Sequence, residues 1–244
     1  MIKMLHDKVA LVTGASRGIG RAAALALAAA GAHVILVART VGGLEEADDE
    51  IRKVGGEATL VPLNLKDFEA LDRLGASIFE RWGRLDAFFG NAGVLGAVTP
   101  LAHLDPKAFQ ELLDINVTAN WRLIRSLDPL LRLADAGRAL FVSSGAARKH
   151  RPYWGGYAMS KAALESLVLT YAEECEGTTI KVNLLDPGPT RTAMRAKAMP
   201  GEDPESLPLP EALAPLIVEM LSPSYQKNGE LVAFQENHHR KPTP

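Results

Sequence analysis

The chain has 244 residues, 47% of them hydrophobic and 23% charged, with a net charge of −2. That composition suits a globular chain long enough to bury one large core, and it lacks the basic excess of a nucleic-acid-binding surface. A single cysteine, Cys175, excludes an internal disulfide framework and any site built on several cysteine ligands.

Along the chain, charges interrupt the apolar residues of Met1–Lys8, so a signal-peptide core is not expected there. The nine residues of Ala and Leu from Ala22 to Ala30 are about half of a membrane span. A cytoplasmic protein without membrane or nucleic-acid partners is expected. Val9–Thr13 predicts a buried strand stopped by Gly14, and Arg21–Ala30 a helix ended by Gly31. His33–Val37 is the second strand, Leu44–Val54 a charged helix, Ala58–Leu63 the third strand and Asp67–Trp82 the next helix. Leu85–Phe89 follows as strand four. Pro106 opens a helical region reaching about Ala134, with interruptions expected at Asn116 and Pro129. Ala139–Ser143, Ile180–Leu185 and Leu231–Phe234 predict strands five to seven, and Tyr153–Glu174 the helix between five and six.

Strands that are continuously apolar belong in a sheet covered on both faces. Their alternation with helices implies parallel order and right-handed crossovers. The predicted fold is therefore α/β, a doubly wound, Rossmann-like parallel sheet in a three-layer sandwich, spanning 1–244 as one domain. Five prolines fall within the sixteen residues from Pro200 to Pro215, which predicts a mobile substrate flap over about 190–215 rather than a helix. The tail, 236–244, reads as solvated or packed on a partner.

Between the first strand and the first helix stands Thr13-Gly14-Ala15-Ser16-Arg17-Gly18-Ile19-Gly20. Glycines in that turn let backbone N–H groups approach a pyrophosphate at the helix N-terminus. The three-residue gap between the first two glycines resembles the short-chain dehydrogenase/reductase family, whose fingerprint is Thr-Gly-x-x-x-Gly-x-Gly. The similarity to a bacterial subgroup of oxidoreductases in that family extends to the Thr190–Ala196 stretch.

The end of strand two selects the nicotinamide cofactor. A carboxylate there would accept from a ribose 2′-hydroxyl and repel a 2′-phosphate. The chain instead has Val37-Ala38-Arg39-Thr40. Arg39, with Arg17 from the glycine turn, can pair with a phosphate, or both can be solvated surface side chains. The pair favours NADP(H) over NAD(H). In the resembled family, Asn64 and Leu65 stand beside the adenine, Asn64 replacing the usual Asp. The resemblance also places Asn91-Ala92-Gly93 against the adenine ribose and Pro187, Gly188 and Thr190 over the nicotinamide carboxamide, with Thr192 donating to the pyrophosphate or the carboxamide.

Tyr157 and Lys161 lie four apart on a helix and so share a face. A nearby ammonium favours the phenolate and lowers the pKa of a phenol toward the working range. Alone, such a pair is packing more often than catalysis. The resemblance implies catalysis: it places the serine that holds the substrate oxygen at Ser144, makes Tyr157 the general acid/base, lets Lys161 tune it and bind the nicotinamide ribose, and makes Asn116 a fourth catalytic residue that perturbs its helix. Asn116 read alone is an ordinary helix residue. Ser143 reads as a bland neighbour satisfying backbone.

The function so implied is NADP(H)-dependent hydride transfer between nicotinamide and a small carbonyl or secondary-alcohol substrate. A non-catalytic NADP(H) sensor and a dehydratase or isomerase on the same scaffold are the alternatives. Arg148, Lys149, His150 and Arg151 form a basic patch, read as a solvated loop or as a receptor for an acidic group. Tyr153 and Trp154 line a pocket or simply pack. No metal is expected, since His238 and His239, adjacent in the tail, make a poor ligand pair. The resemblance also implies a homodimer or homotetramer through the two long helices.

Overall fold

Seven parallel strands pair in the order β3-β2-β1-β4-β5-β6-β7 in a computed structural model of the chain that describes residues 4–234. They are β1 (Val9–Thr13), β2 (His33–Ala38), β3 (Glu57–Pro62), β4 (Ala87–Gly90), β5 (Arg138–Val142), β6 (Lys181–Asp186) and β7 (Leu231–Ala233). Successive side chains of a strand point to opposite faces, and both faces here are apolar. Val9 and Leu11 of β1 enter one core with Phe88, Phe141 and Leu184, while Ala10 and Val12 enter the other with Val34, Leu36 and Phe89.

Helices close both sides. α1 (Gly18–Ala29), α2 (Val41–Lys53) and α8 (Ala214–Met220) cover one face. The other is covered by α3 (Phe68–Trp82), α5 (Ala119–Arg132) and α6 (Gly155–Glu174). α4 (Pro106–Leu113) leads into α5, and α7 (Ala193–Ala198) follows β6. Strand order reverses between β1 and β4, so their carboxyl ends border a crevice.

Three expectations need correction. α1 starts at Gly18, three residues before the expected start at Arg21, because glycine can open a helix where packing supplies the reason. Pro129 lies inside α5 without ending it, whereas at Asn116 the chain widens into a π turn, Asp114–Thr118. The Pro-rich stretch is not a free flap throughout. It folds as short 3₁₀ turns at Pro204–Ser206 and Pro210–Leu213, then enters α8; Leu213 at the end of the second turn and Ile217 and Met220 of α8 are buried against α1. Apolar spacing decides this segment over its prolines, of which Pro204, Pro210 and Pro215 occupy first-turn positions where no N–H is needed. The tail, with His238 and His239, lies outside the described residues.

α3 and α5 touch at Gly75, where an added Cβ would lie 2.0 Å from the Ser126 carbonyl oxygen. Alanine gains about 1 kcal/mol of helix propensity over glycine. Forcing two packed helices apart costs about 1–3 kcal/mol or more. Gly75→Ala is therefore expected to destabilise the fold, read as a lower urea midpoint at unchanged slope.

Candidate active site

The crevice begins at Thr13, where the chain turns through Gly14 (φ +67°). An added Cβ at Gly14 would lie 2.8 Å from the Asn91 amide nitrogen, and one at Gly20 2.3 Å from the Gly14 carbonyl oxygen. Neither position admits a side chain. α1 opens without a side-chain cap and with no acid in its first turn. Its first N–H groups and dipole are thus free for an anion. Ile19 packs against the core beneath the turn.

Ser16 abuts the start of α2, since a Cβ on Gly43 would stand 2.9 Å from the Ser16 Cβ and 3.1 Å from the Thr40 hydroxyl. The neighbours of Ser16 and Thr40, Arg17 and Arg39, consequently border one surface. Both are exposed, and neither is ion-paired among the described residues. Asn64, after β3, is exposed and its Oδ1 accepts from Lys66 N at 3.1 Å, so one lone pair is spent on its own turn; Leu65 beside it is buried.

Thr13 and Asn91 lock the β1 and β4 ends together. The Thr13 hydroxyl accepts from the N–H groups of Asn91 (3.0 Å) and Ala92 (3.1 Å), and the Asn91 amide donates to Thr13 O at 2.9 Å. Gly93 comes next, where a Cβ would meet Asn116 Oδ1 at 3.1 Å and Lys161 Nζ at 3.5 Å. The Asn116 side chain is fully engaged. It accepts from Val94 N (2.8 Å) and donates to Val94 O and Ser160 Oγ, both at 2.9 Å. Its backbone carbonyl in the π turn accepts from Asn120 at 2.9 Å.

Tyr157 and Lys161 stand one turn apart on α6, 8% and 3% exposed. Lys161 Nζ donates to Val142 O at 2.7 Å and lies 6.0 Å from the centre of the Tyr157 ring. Burial pushes the phenol up to about 12; the Ser144 side chain pulls against this and the Asp186 carboxylate adds to it. The ammonium is lowered to about 8 by burial, with Glu165 acting the other way. Proximity to the lysine predicts a lowered phenol pKa, but desolvation outweighs any such effect and Tyr157 stays protonated at neutral pH. Ser144 follows β5 and its hydroxyl accepts from Ala146 N at 3.2 Å.

Apolar groups surround the phenol. Leu95 and Leu112 are buried beside it, Val94, Ala146 and Ala198 pack on that cluster, and the Trp154 ring stands edge-on at 6.1 Å. Tyr153, in contrast, is 58% exposed with φ +74°. After β6, Gly188 takes φ +63° and buried Thr190 donates inward to Pro187 O at 3.1 Å. Thr192 caps α7 by accepting from Arg195 N, and its methyl would touch a Cβ on Gly18 at 3.5 Å. The segment carrying α7 thus reaches both the glycine turn, through Thr192, and the surroundings of Tyr157, through Ala198.

Arg148 departs from both readings of the basic patch: it pairs with Glu165 and, at 2.5 Å, with Asp186. Ser143 likewise does not satisfy backbone with its hydroxyl, which donates to Glu165 at 2.5 Å. Lys149, His150 and Arg151 are exposed. The sequence reading left Glu165, Asp186, Thr13, Ser160 and Asn120 without roles. Glu165 is legible in hindsight, since residues 157, 161 and 165 form one stripe of a helix; the partners of Asn116 carry no local signal. Among the described residues no three His, Cys, Asp or Glu side chains group to hold a metal.

A family model described as short chain dehydrogenase matches residues 8–203. The uncharacterized oxidoreductase YciK of Escherichia coli (strain K12) is 38% identical over 98% of this chain and 95% of its own. A solved short chain dehydrogenase from Pseudomonas syringae is 40% identical, covers 96% of each chain and superposes with a TM-score of 0.92. Another, from Shigella flexneri 2a and complexed with NADP, is 38% identical over 96% of this chain and 99% of that one, with a TM-score of 0.91.

Proposed function

Since the chain belongs to the short-chain dehydrogenase family, we propose that it is an NADP(H)-dependent oxidoreductase acting on a small carbonyl or secondary alcohol, with Tyr157 as the acid. The observation that carries this reading is the burial of Tyr157 and Lys161 on one stripe of α6, at the edge of the crevice that the glycine turn opens. The NADP bound to the Shigella flexneri relative supports the cofactor, and so do two unpaired arginines where a carboxylate would have selected NAD.

The residues present fit such a cofactor, because the cradle at Gly14, Gly18 and Gly20 is one that side chains would fill or strain. The α1 N-terminus, with Ser16 and Ile19 beside it, would hold the pyrophosphate, and Arg17 and Arg39 the 2′-phosphate. Asn64 and Leu65 would border the adenine, Asn91, Ala92 and Gly93 its ribose, Lys161 and Tyr157 the nicotinamide ribose, and Pro187, Gly188, Thr190 and Thr192 the carboxamide. When bound, the reduced nicotinamide supplies the hydride.

Ser144 and Tyr157 donate hydrogen bonds to the substrate oxygen and stabilise its developing negative charge. A phenol kept protonated by burial then gives up its proton to an alkoxide, which is the stronger base. The Lys161 ammonium, fixed on Val142 O, stands behind the phenol to stabilise the phenolate. Asn116 holds the Val94 loop and α6 together through its side chain and so keeps Lys161 in place. Leu95, Leu112, Trp154 and Ala198 keep water from the reacting oxygen. No described helix is long and apolar enough to cross a membrane. A cytoplasmic homodimer or homotetramer is proposed, on the apolar side chains of Trp121 (α5) and Leu169 (α6) that remain exposed.

NADPH oxidation at 340 nm against a panel of ketones, aldehydes and quinones tests the activity; absence of NADPH uptake in a fluorescence titration would sink it. Arg39→Ala is expected to weaken NADPH binding by about tenfold or more, as one charge-assisted contact implies, and to leave NADH nearly unchanged. Equal losses would show that Arg39 does not reach the 2′-phosphate.

A further inference from the structure

Four polar side chains form a continuous chain behind the reacting groups. Glu165 Oε1 accepts from the Ser143 hydroxyl at 2.5 Å and from Arg148. The other arm of Arg148 reaches Asp186 Oδ2 at 2.5 Å, and Asp186 Oδ1 accepts from Gly188 N at 3.1 Å. Glu165 is 13% and Asp186 11% exposed as side chains, so both carboxylates are largely out of water, and Arg148 is the cation that pairs with both.

Where the four attach gives the network its meaning. Ser143 precedes Ser144 by one residue and Arg148 follows it by four, so the turn carrying Ser144 is held at both ends by one carboxylate. That carboxylate sits on α6 one turn beyond Lys161 and two beyond Tyr157. Arg148 then carries the tie to the end of β6 and the Pro187-Gly188 turn. Close packing reinforces it: a Cβ on Gly145, the residue after Ser144, would stand 3.3 Å from Asp186 Oδ2. A planar guanidinium can bridge two carboxylates in fixed geometry, which an ammonium cannot.

We propose that Glu165, Arg148 and Asp186 are positioning residues: through Ser143 and Gly188 they set the Ser144 turn against the Tyr157–Lys161 stripe and couple it to the turn at Pro187–Gly188. None of the three touches the reacting atoms. The proposal rests on the reading that Ser144 and Tyr157 hold the substrate oxygen, but its main test does not.

Hydrogen exchange of the full chain, with and without NADPH, is followed in peptides over 143–149 and 186–190. Glu165→Gln, a change on α6, is expected to speed exchange about tenfold in both segments, at nearly unchanged melting temperature. Arg148→Met, which leaves two buried carboxylates without their cation, speeds exchange in the same two segments at a lower melting temperature; Arg148→Lys does not restore protection there, and the double variant exchanges no faster than either single, because the groups act as a unit. Exchange altered only around residue 165, or additive losses in the double variant, would overturn the proposal. A turnover measurement with NADPH and 9,10-phenanthrenequinone separates the two readings. Glu165→Gln should lower kcat about tenfold with KM and NADPH affinity held; a wild-type kcat in that variant overturns the positioning role. Turnover surviving Tyr157→Phe would instead sink the proposed chemistry and leave the exchange result standing.

Discussion

Tyr157→Phe is expected to lower carbonyl turnover by about 10²–10⁴-fold, the range over which a positioned proton donor contributes, while NADPH affinity falls by no more than about tenfold, the share of one hydrogen bond to the nicotinamide ribose. The ring keeps its packing against Leu95, Leu112 and the Trp154 edge, so only the hydroxyl is lost. Ser144 remains to hold the substrate oxygen, but a serine hydroxyl is a far weaker acid than even a buried phenol. The pairing of readouts matters. A variant that loses turnover and cofactor affinity to the same degree would have lost the site's shape, whereas loss mainly in kcat identifies the proton. Survival of turnover would remove Tyr157 from the chemistry.

Lys161→Met is expected to do two things of opposite sign: abolish most turnover and raise stability. The ammonium is fully buried and its pKa falls from 10.5 to about 8, a difference that corresponds to roughly 3 kcal/mol against the charged form. The lost hydrogen bond to Val142 O offsets about 1–2 kcal/mol of that. A methionine of similar length fills the space. At pH 7 the variant should therefore be more stable by about 1–2 kcal/mol, read as a higher urea midpoint. The pH dependence has a fixed sign. Because the folded-state pKa is the lower one, the unfolded chain binds more protons between about 8 and 10.5. The contribution of Lys161 to parent stability therefore rises with pH across that window, and below about 8 the full penalty remains. The advantage of the variant should shrink as pH rises toward 10.5. A variant less stable than the parent at pH 7 would show that burying this cation is not unfavourable. A stabilising loss of activity is what a site held under electrostatic strain predicts.

Much of the site could be read in the chain because its parts are local. Gly14 to Gly20 is one turn, and residues 157 and 161 share a helical stripe whatever surrounds them. Arg17 and Arg39 each sit beside a strand end, and their meeting follows once β1 and β2 pair. An interruption at Asn116 was legible because an Asn side chain competes for backbone groups inside a helix; that it takes the form of a π turn depends on its tertiary partners. Pro129 gave a false warning because only one N–H is lost and the helix is held by Leu127, Leu130 and Leu131 in the core. α8 was hidden for the converse reason: its proline, Pro215, sits in the first turn, and what makes it a helix is the α1 surface that Ile217 and Met220 cover with Leu213 just before it.

Periodicity, turn chemistry and spacing act over a few residues, and they sufficed for the strand–helix alternation, the cradle of glycines and the tyrosine–lysine stripe. Partnership across tens of residues did not follow from them. That Asn116 spends its side chain on Val94 and Ser160, that Arg148 is a bridge between Glu165 and Asp186 rather than a solvated cation, and that the tyrosine is held protonated all depend on where distant segments meet. Hydrogen bonding, ion pairing and desolvation are properties of a site's three-dimensional surroundings, and those exist only after the sheet and its helices have packed.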